Sequence, residues 1–148
     1  LMTLQGLKAL HENEIPKRGN ILVQFKENQT TGVAGVIGSV ITNITGSTTT
    51  NGFKGLAGKH DRNHLMNFEN DINGASVRFT RLDTQKSVDV FYNPSSILPH
   101  PNMNPLMQKC VQGSASLEEK KEFGKLWQQR VEDISNNIDE VIKVNIKE

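Results

Sequence analysis

The stretch SVRFTRLDTQKSVDVFY, residues 76–92, decides the fold class. Val77 and Phe79 alternate with Arg78 and Thr80. After the polar run Leu82-Asp83-Thr84-Gln85-Lys86-Ser87 the alternation resumes in Val88, Val90 and Tyr92. Successive strand side chains point to opposite faces, so two alternating runs joined by polar residues predict a β-hairpin with one face buried. Further strands are expected around it. Upstream, Ile21, Val23 and Phe25 within Asn20–Glu27 point one way while Gln24 and Lys26 point the other. Downstream, Ile142, Val144 and Ile146 alternate with Lys143, Asn145 and Lys147, the pattern of an edge strand shielded by lysines.

Helical spacing fills the intervals. Leu4, Leu7 and Leu10 predict a short helix from Thr3 to about His11, weakened at Gly6 by about 1 kcal/mol relative to alanine. Ser116 and Glu119 match a capping box opening an amphipathic helix over Leu117–Ile134, whose Phe123, Trp127 and Val131 are expected in the core. Shorter helices are expected at Asp61–Ile72 and Pro105–Val111, separated from the hairpin by Asn73-Gly74 and by the proline-rich connection Asn93–Pro105. Val33–Thr45 supports two readings. Val33, Val36, Ile37, Val40, Ile41 and Ile44 form a helical stripe, whereas their β-branching favours a strand. Periodicity tips the reading to a helix, with the stripe buried and a Gly/Ser face able to approach another element closely. Together these segments predict one α+β domain over residues 1–148: a small antiparallel or mixed sheet, helices packed on one face, and many loops.

Composition narrows the function classes. Hydrophobic residues make up 35% and charged residues 22%, while fifteen Asn, ten Thr, nine Ser and twelve Gly supply neutral polarity suited to turns. A net charge of +1, with both signs scattered, lacks the basic stripe of nucleic-acid binders and weighs against nucleic acid as a partner. The single cysteine, Cys110, cannot form an internal disulfide and suits a reducing compartment such as the cytoplasm. No signal peptide or transmembrane segment is expected, because Met2–His11 has no uninterrupted apolar core and no run reaches membrane-spanning length.

Reactive side chains are densest in Lys59-His60-Asp61-Arg62-Asn63-His64. On a helix His60 and His64 would share a face, and with Arg62 and Arg78 could serve acid–base hydrolysis, the cations stabilising developing negative charge. The set lacks the further ligands of a zinc site, and no cofactor fingerprint is present, so neither metal nor cofactor is expected. The leading expectation is a non-catalytic interaction module, an adaptor, assembly or inhibitory protein that binds a protein partner. Its contacts are expected from Gly46–Gly58 and the proline-rich loop, through Ile97, Leu98, His100, Asn102 and Met103. The alternative is a small hydrolase or nuclease-type effector using His60 and His64. Membrane insertion through Val33–Thr45 is a third reading, weakened by the absence of basic residues there.

Overall fold

The computed structural model describes residues 1–55, 58 and 61–147. Its elements run α1 (Met2–His11), β1 (Ile21–Phe25), α2 (Ala34–Thr45), β2 (Met66–Asn67), β3 (Val77–Arg81), β4 (Ser87–Tyr92), α3 (Met103–Val111), α4 (Leu117–Asn136), α5 (Ile138–Val141) and β5 (Ile142–Lys147). The fold is α+β with an open mixed sheet in the order β2-β1-β3-β4-β5; among the described residues only β1 and β2 pair in parallel. The chain divides into two compact units, Leu1–Tyr92 with Ile142–Glu148, and Asn93–Val141.

The hairpin alternation sets the register of the first unit. Val77 faces Val90 and Phe79 faces Val88, while Val23 of β1 faces Phe79 and Ile146 of β5 faces Val88. Ile21, Val23, Phe25, Val77, Phe79, Val88 and Val90 are thereby gathered on one buried face. Both helices of this unit pack there. Gly6 of α1 lies over Phe79 and Val90, and Gly38 of α2 lies over Phe25, Met66 and Phe68. The opposite face is polar and centres on Asp89, whose carboxylate takes Arg78 and Lys147.

Val33–Thr45 is helical, as its period implies, but the face it buries is turned away from the expected stripe, of which Ile41 alone is buried and Ile37 half-buried. Ala34, Gly38, Ile41 and Thr45 are buried, and Val33, Val36, Val40 and Ile44 are exposed. Close packing explains the turn. A Cβ on Gly38 would stand 3.3 Å from Phe68 Cζ and 3.4 Å from Met66 Sδ, so only a small-residue face fits against these side chains. The helix expected at Asp61–Ile72 is absent. His64 (φ 60°) and Glu69 (φ 61°) occupy left-handed backbone, which a right-handed helix excludes. The segment instead supplies β2, where the Val23 N–H donates to the Leu65 carbonyl at 2.8 Å.

In the second unit, Ser116 and Glu119 form the expected capping box at the start of α4. The packing of α4 departs from expectation, because none of its residues is buried. Polar bonds tie it to α3 and to the proline-rich connection. Lys109 pairs with Glu119, and Arg130 donates to the Pro94 carbonyl at 2.9 Å and to that of Ile97. The connection is less extended than its prolines suggest: Pro94–Ser96 makes a 3-10 turn and α3 starts at Met103, with Pro105 in the helix's first turn, where no donor is missed.

Candidate functional site

The structure does not set the acid–base candidates on one helix face. His64 is exposed in a turn, and its N–H donates to the Thr49 carbonyl at 2.6 Å. His60 lies outside the described residues. Arg62 is half-buried in a loop held by its own backbone: its N–H donates to the Phe53 carbonyl at 2.9 Å, and its carbonyl accepts from Thr48 N and Oγ1 at 3.0 and 2.8 Å. Arg78 belongs to the polar sheet face, where Nη2 donates to Asp89 Oδ2 at 3.0 Å. No hydrogen bond or ion pair joins Arg62 to Arg78. Cys110 is half-buried on α3. Among the described residues no cluster of three or more His, Cys, Asp or Glu is placed to hold a metal.

The proline-rich residues singled out for binding fall into two groups. Leu98 is 83% exposed, His100 and Asn102 are exposed, and His100 Nδ1 accepts from the Asn102 N–H at 3.1 Å. Met103 is buried and Ile97 half-buried, so their side chains anchor the loop. Arg130, between Trp127 and Val131 on α4, ties this loop down through the two carbonyls it binds.

Two apolar rows that helical spacing assigns to the core lie largely outside it, Ile41 of the first excepted. On α2, Val36 is 68% and Val40 50% exposed, and the helix carries no charged residue. The N-terminal part of this row borders a cleft of about 260 Å³ lined by Met2, Phe25, Val33, Ala34, Ile37 and Tyr92. On α4, Trp127 is 51% exposed, with Val131 and Leu117 also outside. Periodicity identifies an apolar face without saying what covers it, so no signal in the sequence separates these rows from core. The consequence for Trp127 is measurable. Its ring keeps a tilted contact with Phe123 at 5.9 Å, and such a pair contributes about 0.5–1.5 kcal/mol. Trp127→Ala should therefore lower stability in urea by about 1 kcal/mol. A loss of 3 kcal/mol or more, as for a core truncation, would place the ring inside.

No family model, no curated protein and no solved structure matches the chain. No helix among the described residues is long and apolar enough to cross a membrane.

Proposed function

We propose that the chain is a protein-interaction module whose principal contact is the outer row of α2. The observation that carries this reading is the exposure of Val33, Val36, Val40 and Ile44 along one face of a helix that carries no charged residue of its own. Contiguous exposed apolar rows mark sites of association, because leaving them in water forgoes the gain of burial. The chemistry of the row selects the partner. Helices that lie in a membrane surface carry Lys or Arg on the polar side and bulky Trp, Phe or Leu on the other, and α2 has neither. A ridge of stiff β-branched side chains beside an apolar cleft suits a protein surface that presents an uncharged groove and an apolar side chain for the cleft. The proline-rich loop, with Leu98 outermost and its backbone held by Arg130, is a second proposed contact that loses little freedom on binding.

A photocrosslinking residue placed at position 40 in cells of the native source should give one discrete adduct. The same label at Lys86, on the hairpin turn, should give none. Adding Val36→Lys should abolish the adduct while leaving thermal stability within about 0.5 kcal/mol, as exposed substitutions do. An adduct of twice the chain's mass would identify a second copy as the partner. Absence of any adduct at position 40 overturns the reading.

A further inference from the structure

A second feature lies in the first unit, at the C-terminal end of α2. Gly46 closes the helix in the left-handed conformation (φ 75°), and two arginines from distant segments crowd it. A Cβ at Gly46 would stand 3.0 Å from Arg18 Nε and 3.3 Å from Arg62 Nε. Two guanidiniums this close repel unless something negative lies between or beside them. Part of the compensation is internal: Arg18 Nη1 donates to the Asn43 carbonyl at 3.2 Å, and the end of a helix favours cations. The rest is missing. Among the described residues neither arginine has a carboxylate within ion-pair distance, and Arg62 Nε is buried without an acceptor. Asp83, which lines a cleft with Arg18, is held by Arg81 at 2.9 Å.

Two further features extend the site. The cleft beside Arg18, about 540 Å³, is lined by Lys17, Arg18, Gly19, Asn20 and Asp83, which is room for more than an inorganic anion. On the other side, the Arg62 guanidinium lies 5.4 Å from the ring centroid of Phe53, and that ring is largely exposed. The Arg62 N–H donates to the Phe53 carbonyl and the His64 N–H to that of Thr49, so the backbone of the arginine is positioned before any ligand arrives.

We infer that Arg18 and Arg62 form a binding site for the phosphate of a nucleoside phosphate, with Phe53 as the stacking surface for its base. Guanidinium forks match phosphate oxygens in a bidentate manner, and no carboxylate among the described residues competes for either fork. The aromatic ring selects for a phosphate ester with a planar group over a bare anion. This site is separate from the α2 row and stands independently of the interaction reading. The ligand can be a free nucleotide or a single strand, and binding measurements on the full chain distinguish them.

Isothermal titration at low salt with AMP, inorganic phosphate and a twelve-residue oligothymidylate provides the test. AMP should bind at least tenfold more tightly than phosphate, and Arg18→Gln and Arg62→Gln should each weaken it at least tenfold. Phe53→Ser should bring AMP down to the level of phosphate. Arg18 is exposed, so its variant keeps the fold and remains informative if Arg62→Gln unfolds. Oligothymidylate bound with the same dependence on Arg18, and AMP not bound, would assign the site to a strand. Binding of none of the three at millimolar concentration, or equal affinity in Arg18→Gln and the wild type, overturns the proposal.

Discussion

Gly6→Val should destabilise the chain by about 3 kcal/mol, the upper end of overpacking costs. Gly6 lies in the middle of α1, where alanine would be the better helix former by about 1 kcal/mol, so its helix propensity gives no reason for a glycine. The reason is the sheet beneath. A Cβ there would approach Phe79 Cδ2 to 2.8 Å and Val90 Cγ2 to 2.9 Å, against about 3.5–4.0 Å for carbons at rest. Phe79 and Val90 are fully buried and locked by their strand register, so neither can swing aside. Gly6→Ala should therefore lose about 1–2 kcal/mol in spite of its propensity gain, and valine more, having two further methyls to place. Gly124 on α4 is the control. Nothing stands within 4 Å of its added Cβ, so Gly124→Ala should be neutral or stabilising by up to about 1 kcal/mol. Urea unfolding of the three variants decides the point. A Gly6→Val midpoint at or above that of the wild type would mean that α1 lifts off the sheet at little cost.

Gly6 also illustrates what the sequence makes legible. The period of three in Leu4, Leu7 and Leu10 announces α1, but the glycine reads there as a weakness because its neighbours across the core are distant in sequence. The hairpin is legible in full, since alternation dictates both the strands and the face that each buries. Helix α2 is legible as a helix and, through its Gly/Ser face, as one that packs closely. Which side is covered is not, because the decision rests with Phe25, Met66 and Phe68, brought together by the sheet. The same gap separates the visible capping box of α4 from its exposed Trp127. Residues 61–72 mislead for a local reason: Leu65, Phe68 and Ile72 keep helical spacing, while the positive φ at His64 and Glu69 leaves no trace in composition. Of the residues proposed for binding, Arg62 is conspicuous in sequence beside His64. Its neighbours Arg18 and Phe53 are not, because they reach it from other loops.

Asp89 carries the second large expected effect. Its side chain is 1% exposed on the polar sheet face, directly opposite Arg78 in the β3–β4 register, and Lys147 of β5 reaches it at 2.9 Å. Burial alone would push its carboxyl up. The hydrogen bonds from Arg78 and Lys147 outweigh burial and hold it below the usual carboxylate range. Removing the acid leaves Arg78 half-buried without its partner, so Asp89→Ala should lose about 3 kcal/mol, the lower end for a broken buried pair because both cations keep some access to water. The pH dependence follows in sign. A carboxyl whose folded value is depressed binds fewer protons folded than unfolded, so its stabilisation is complete above about pH 4 and fades as the pH falls further. His11 adds a milder slope above that window. Burial in α1 lowers its pKa, opposed by its bond to the Leu7 carbonyl, so the folded state resists its protonation and stability declines as the pH drops below about 6.5. Asp89→Asn separates the two. Stability measured by urea unfolding from pH 7 to pH 2.5 should show the variant with the His11 slope retained and the steep loss below about pH 4 flattened. A variant curve parallel to the wild type below that pH would show that Asp89 is not the group that acid disables.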